Sequence, residues 1–251
     1  MPLIIIWILV ISFIAALVRS TLGFGESLVA VPLFLLFLPA TTAVPLSVML
    51  SIIIALIIVI QDHRKIHFYS ARWLIFYAIP GIPLGLLILV YGNEHLVKTV
   101  LGLLITGYAL YTLTVKNTKC LNADSQLWLF ICGFLSGVFG GAYGLNGPPL
   151  VVYGNLRKWP AVQFRATLQA YFLPVSLLGF TGYAAKGLVT AELNYYFLAA
   201  LTTSVPAIFL GRWLNGKLNN RSFLRYVLYG LMIIGVILIL AAWYQDPAKT
   251  I

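Results

Sequence analysis

From Ser51 to Ile60 the chain reads Ser-Ile-Ile-Ile-Ala-Leu-Ile-Ile-Val-Ile, and runs of this kind recur along its whole length. They decide what such a chain can fold into. Inside hydrocarbon no water satisfies a backbone N–H or C=O, so only helices and closed barrels can cross a bilayer. Barrel strands read as segments of about ten residues with alternating polarity, whereas these runs are continuous. Apolar residues make up 61% of the 251 and charged residues 9%. The sequence therefore predicts an all-α polytopic membrane protein.

Ten apolar segments stand out, at about 3–18, 27–38, 43–61, 73–91, 96–115, 125–139, 148–156, 164–184, 191–214 and 223–243. As helix, 27–38 covers roughly 18 Å and 148–156 roughly 14 Å, against about 30 Å of hydrocarbon. The second and seventh segments are thus too short to span, and the first and sixth are slightly short. The order medium, short, long, long, long then occurs twice. Gly23 matches Gly144 at an offset of 121, and Pro80, Gly85 and Asn93 match Pro206, Gly211 and Asn219 at an offset of 126. The expected organisation is a first repeat over 1–115, a cytoplasmic linker over 116–124 and a second repeat over 125–251. Each repeat would hold about five helical segments, including a broken or re-entrant short pair at a glycine-rich motif, for 8–10 membrane segments in all.

Charge sets the expected orientation. The net charge is +10. In a soluble protein that would suggest nucleic acid; here it follows the rule that cytoplasmic loops are rich in Lys and Arg. Connections after the odd-numbered segments hold Arg19, Arg64, Lys65, Arg72, Lys116, Lys119, Arg157, Lys158, Arg165, Arg212, Lys217, Arg221 and Arg225. The remaining connections and the tail hold only Lys98, Lys186 and Lys249. Both termini are expected outside, with the repeats inverted about an axis in the membrane plane. The start, Met1-Pro2-Leu3-Ile4, has no positive region, and no signal peptide is expected. Segment 1 has segment 6 as its counterpart.

Chemistry concentrates at two breaks, Gly23-Phe24-Gly25-Glu26-Ser27 and Gly140-Gly141-Ala142-Tyr143-Gly144-Leu145-Asn146-Gly147-Pro148-Pro149. Asn146 is a good N-cap, and proline suits the first helical turn because its missing N–H would be unpaired there anyway. Ser27 or Glu26 can cap the helix that follows the first break. Free N–H groups and a partial positive charge at both helix starts favour an anion. The alternative is a glycine-lined close helix crossing. Glu26 is the one acidic residue inside an apolar stretch, and ionisable groups in such places are usually functional. Three roles are open to it: a proton carrier, an ion pair with Arg19, or a cap on its own helix. Arg19 is a cytoplasmic end residue if segment 1 spans, and lies near mid-membrane if segments 1 and 2 form a re-entrant hairpin. Gln169, in the long helix after the second break, is a helix–helix hydrogen bond or a substrate contact; its counterpart falls near Val48. The candidate substrate-binding set is Arg19, Gly23, Gly25, Glu26, Ser27, Gly144, Asn146, Gly147, Pro148 and Gln169.

Arg157, Lys158 and Arg165 read as an orientation signal, with an anion funnel as the second possibility. Cys120 and Cys132 imply no disulfide framework. The histidines His63, His67 and His95 lie in connections. No metal constellation, catalytic set or phosphate-binding loop is visible, so neither an enzyme nor an ATP-driven pump is expected, and no cofactor.

The residues of the two breaks carry a family likeness. Gly23-Phe24-Gly25 leading into Val31-Pro32-Leu33, Gly137-Val138-Phe139-Gly140-Gly141 through Gly144-Leu145-Asn146-Gly147-Pro148-Pro149-Leu150, and Phe164-Arg165-Ala166-Thr167 resemble the TauE/SafE family of sulfite-exporter-like membrane proteins. The resemblance extends over essentially the whole chain. It implies a secondary transporter in a bacterial inner membrane, moving a small oxoanion such as sulfite or an organosulfonate, mostly outward. The expected site lies near mid-membrane at the two breaks, and the expected partners are a small anionic substrate and the lipid bilayer. Proton coupling through Glu26, an anion channel and a proton-coupled importer of a small organic anion stay open, as do monomer and homodimer.

Overall fold

The computed structural model describes residues 2–114, 121, 123–215, 217 and 220–244. Lys116, Lys119, Cys120, Asn219, Asp246, Lys249 and six of the nine residues of the expected linker 116–124 lie outside the described residues, as does the side chain of Arg221. The described chain is helical: α1 (Pro2–Leu22), α2 (Glu26–Phe34), α3 (Ala40–Asp62), α4 (Phe68–Ala78), α5 (Gly81–Tyr91), α6 (Glu94–Thr114), α7 (Gln126–Tyr143), α8 (Gly147–Leu156), α9 (Ala161–Ala185), α10 (Ala191–Asn215) and α11 (Asn220–Tyr244), with a short 3-10 turn at His63–Lys65.

Six of these, α1, α3, α6, α7, α10 and α11, are long and apolar enough to cross a bilayer, and the bent α4–α5 pair makes a seventh such unit. At 25 residues, α9 also has the length, about 38 Å, but it carries more polar groups. The protein is an all-α polytopic membrane protein. Its outer faces bear exposed Leu, Ile and Phe at many positions, as a lipid-facing surface must.

Several boundaries differ from the expected ones. The apolar run 73–91 is two helices meeting at a 46° bend. Pro80 lacks the N–H that would continue the ladder, and Gly81, a poor helix former, follows it. Pro206 is carried inside an unbroken α10, where Ala207 follows. α1 and α7 run to Leu22 and Tyr143, so neither is short of a span. Gly140 and Gly141 lie within α7, and the second break begins only at Gly144.

The halves correspond in detail. α1 packs on α10, and α7 packs on α4 and α5; α3 pairs with α9, and α6 with α11. Exchanging the halves maps this set of pairs onto itself. Single atoms obey the same exchange. A Cβ on Gly85 would overlap Val138 O and Ala142 N, and one on Gly211 would meet Leu17 O at 2.9 Å and Thr21 N at 3.3 Å. Leu17 and Thr21 stand 121 positions before Val138 and Ala142, and Gly85 stands 126 before Gly211. Gly23 and Gly144 are both left-handed, with φ of +87° and +66°. Each donates its N–H back one turn, Gly23 to Arg19 O at 2.7 Å and Gly144 to Gly140 O at 2.9 Å.

These crossings hold the bundle together. Between helices in lipid, close packing replaces the hydrophobic drive available in water, and small residues permit it. Replacing Gly85 by Ala is expected to destabilise the protein by about 1–3 kcal/mol, the usual cost of overpacking. Gly107, with nothing within 4 Å of its Cβ position, should accept Ala and gain about 0.5–1 kcal/mol in helix stability. Thermal melting in one detergent checks both, and equal effects would refute the role given to the α5–α7 crossing.

Candidate functional site

The two breaks face one another. α2 begins at Glu26 beside Ser47 in the first half of α3, and α8 begins at Gly147. Gly25, Glu26, Ser27 and Leu28 from the first start, and Gly144, Leu145, Asn146 and Gly147 from the second, line one small cavity together with Arg19, Ser51 and Phe172. Seven of the ten expected site residues meet here. Gly23 and Gln169 lie one layer out, and Pro148 lines a separate apolar crevice between α6 and α7.

Arg19 is the centre of the cluster, at 2% exposure. Its Nη1 donates to Glu26 Oε2 at 3.1 Å and to Ser51 Oγ at 2.6 Å. Its Nε and Nη2 both donate to Gln169 Oε1, at 3.1 and 2.8 Å. Phe172 lies 4.7 Å from the guanidinium carbon, a cation–π contact. Glu26, 1% exposed, also accepts from Ser47 at 2.7 Å and Ser27 at 3.0 Å. Gln169 Nε2 donates to Gly23 O at 2.6 Å, so the amide ties the arginine to the first break. Ser51 is halfway along α3, and Phe172 is one residue from the middle of α9. The two depths expected for Arg19 are therefore not exclusive: α1 is a full-length helix, and its last-turn arginine still places its charge at the midpoint of α3.

Two expectations about capping fail. α2 has Gly25 as its N-cap, at φ 98°, without a side-chain bond; Glu26 and Ser27 are occupied by the ion pair. Asn146 makes no cap bond either. It is helical rather than extended, and a capping side chain needs the extended form to reach back to the N–H groups. Its Oδ1 is buried without a partner, against the surface of Gly140. The first start consequently presents the first-turn N–H groups of Glu26, Ser27 and Leu28 to the cavity, whereas at the second Pro148 and Pro149 have no N–H and Gly147 alone can offer one. At about 20 Å³ the cavity holds roughly one water, less than an oxoanion needs.

Sequence reading missed Ser47, Ser51 and Phe172 as site residues. The serines carried a signal, since residues four apart on a helix share a face. Phe172 carried none, for an aromatic in an apolar run has no special pattern.

A larger cavity, about 590 Å³, opens at the end of the bundle where α3 and α10 finish and α9 begins; Asp62, Lys65, Arg165, Arg212 and Phe24 are among its lining residues. Phe24 stands edge-on to Phe164, with ring centroids 6.1 Å apart. Its ring also reaches to 4.0 Å from the Cβ position of Gly147, which lines the inner cavity. Phe24 is thus part of the wall between vestibule and inner site. At the opposite end, the positions 121 away from Leu22, Phe24 and Arg165 are Tyr143, Leu145 and Val44, all fully or almost fully buried. That end is filled where this one is open. Of the three flanking cations, Arg157 is committed to Asp124 at 3.0 Å, Lys158 is exposed, and only Arg165 faces the vestibule. Among the described residues no group of His, Cys, Asp or Glu is placed to hold a metal ion.

A bundle of membrane-crossing helices with two half-length helices meeting start to start around a buried ion pair is the kind of architecture found in broken-helix membrane transporters. The chain belongs to the family described as sulfite exporter TauE/SafE, which it matches over residues 8–239. It is similar to a protein of Cupriavidus necator named "Probable sulfite/organosulfonate exporter TauE", at 26% identity over 168 residues; the matched stretch covers 65% of this chain and 65% of that protein. No solved structure matches the chain.

Removing Arg19 alone leaves Glu26 a buried, unpaired charge. Arg19→Ala should cost about 3–5 kcal/mol, and Arg19→Gln/Glu26→Gln should cost clearly less than the sum of its single variants. A double-mutant cycle by thermal melting measures this; additive effects would mean that the two side chains do not act as a pair.

Proposed function

We propose that the protein is a secondary transporter of a small oxoanion, sulfite or an organosulfonate, moving it outward across a bacterial inner membrane. The observation that carries the proposal is the convergence of two uncapped helix starts on one cavity holding Arg19. Free N–H groups at helix starts bind anions, and a planar guanidinium suits the oxygens of a sulfur oxoanion. Membership of a sulfite-exporter family and the name of the relative point to the same substrate class.

In this reading residues 1–115 and 125–251 are inverted repeats joined by a cytoplasmic linker, with both termini outside. The excess of Lys and Arg at the Asp62 end then puts the vestibule in the cytoplasm. An inside-negative potential contributes about 2.3 kcal/mol per charge per 100 mV to an outgoing anion, so export needs no further coupling.

The inner site is electrically balanced as it stands, because Glu26 neutralises Arg19. An incoming anion competes with Glu26 for the guanidinium. A proton on Glu26 ends that competition and leaves Arg19, Ser51 and the helix starts as donors for the anion. Glu26 therefore makes occupancy pH-dependent, with protons favouring the loaded form.

Proteoliposomes test this directly. Sulfite efflux should be saturable, inhibited by organosulfonates, and faster with a potential that repels the anion from the loaded side. Continuous open-pore currents would establish a channel instead. Glu26→Gln should transport with a flattened pH profile; a profile identical to that of the parent protein would remove Glu26 from any role in proton linkage.

A further inference from the structure

Arg165 is 8% exposed. Its Nε faces Asp62 Oδ2 at 3.5 Å, yet its Nη2 is buried without a hydrogen-bond partner. Leaving a charged donor unsatisfied in this way is costly. Trp159 Nε1 is likewise buried and unpartnered, and both residues line the vestibule. Ala161 and Val162, the first residues of α9, line it as well. That helix begins at Pro160 with no side-chain cap, so the N–H groups of its first turn are free. Lys65 and Arg212 add two more cations on the same wall, against the single carboxylate of Asp62. The vestibule thus offers an excess of donors and positive charge.

We propose that the vestibule holds a second oxoanion-binding site, separate from the inner cavity, with Arg165 Nη2 and the first turn of α9 as its donors. Its ligand is a sulfite-, sulfonate- or phosphate-type group. The site rests on the carrier reading in one respect: as a loading site it would concentrate the transported anion before Phe24 and Phe164 give way. It also has a mechanical link inward. A Cβ on Gly23 would lie 3.0–3.2 Å from Cγ, Cβ and Cα of Arg165, so the helix carrying Arg165 seats directly on the first break. The carbonyl of Gly23 takes the Gln169 amide that holds Arg19. Movement of Arg165 on binding is therefore connected to the inner arginine through Gly23 and Gln169. The same donors could take a free oxoanion from the cytoplasm or a lipid phosphate from the bilayer.

The test titrates sodium sulfite into the purified full-length protein in phosphatidylcholine nanodiscs, read by calorimetry and by tryptophan fluorescence. Arg165→Gln should weaken binding about tenfold, as loss of a charged donor does. Arg212→Gln, at an exposed position with less risk to folding, should weaken it about threefold at low salt and little at high salt. Arg19→Gln/Glu26→Gln should stop transport while keeping the Arg165-dependent binding. Unchanged affinity in Arg212→Gln, together with unchanged affinity in a folded Arg165→Gln, overturns the site. Adding phosphatidylglycerol separates the two sources. Sulfite affinity that is unaffected supports a loading site, and displacement of sulfite overturns loading in favour of a lipid headgroup. If the parent protein transports no oxoanion but still binds sulfite through Arg165, the carrier reading fails and the site stands; transport without Arg165-dependent binding has the opposite meaning.

Discussion

A guanidinium and a carboxylate in contact, sealed in the middle of an apolar bundle, impose most of what surrounds them. Taking two ions out of water costs several kcal/mol each even after relaxation, and their attraction offsets this only if the remaining donors and acceptors are satisfied. The surroundings of Arg19 and Glu26 answer that demand. Ser51 and Gln169 take the other guanidinium N–H groups, and Ser27 and Ser47 saturate the carboxylate. Phe172 closes one face. The partners come from α2, α3 and α9, so the pair fixes α1, α2, α3 and α9 against one another. A hydrophobic core would do that more cheaply, so the cost of the pair fits the binding role proposed above.

The scaffold is nearly symmetric and its chemistry is not. Counted 121 positions along, Arg19 corresponds to Gly140, Glu26 to Gly147, and Gln169 and Arg165 correspond back to Val48 and Val44. The contacts follow the same exchange. Arg165 abuts Gly23, as Val44 and Val48 abut Gly144. Two equivalent breaks thus build one cavity, while nearly all the charge comes from one side of it. The second break supplies little more than the Gly147 backbone and room, and the first supplies the ion pair and most of the helix-start N–H groups.

Much of this could be read from residue order. The class of fold follows from the apolar runs, and the pairing of Gly23 with Gly144 follows from spacing alone. Glu26 betrays itself as an acid in an apolar stretch, and Arg19 lies seven residues away. What escaped has physical reasons. The break at Pro80 depends on the residue after the proline, because Pro206 is tolerated in the same register. Asn146 has the right identity for a cap but a helical backbone, and its side chain lies against Gly140, a contact between helices that residue order does not reveal. Gly140 and Gly141 looked like part of the break because glycine serves both turns and close crossings. Only the neighbouring helix tells them apart. The vestibule draws on α3, α9 and α10, a juxtaposition that no local pattern encodes.

The asymmetry also bears on how such a bundle could work. In an inverted pair, exchanging the conformations of the two halves closes the open end and opens the closed one. The end open here carries Arg165 and Arg212, whereas the corresponding positions at the other end are Val44 and Leu86. On the proposed reading, an anion arriving from the open end meets Arg165 and Arg212 before it reaches Arg19, whereas the equivalent positions on its way out are apolar. Such a gradient gathers ligand on one side and avoids retaining it on the other. In the carrier proposed above the electrochemical gradient sets the net direction; the side chains at the two mouths affect only how readily the anion loads and leaves, and the inner site needs only enough affinity to hold it through the exchange.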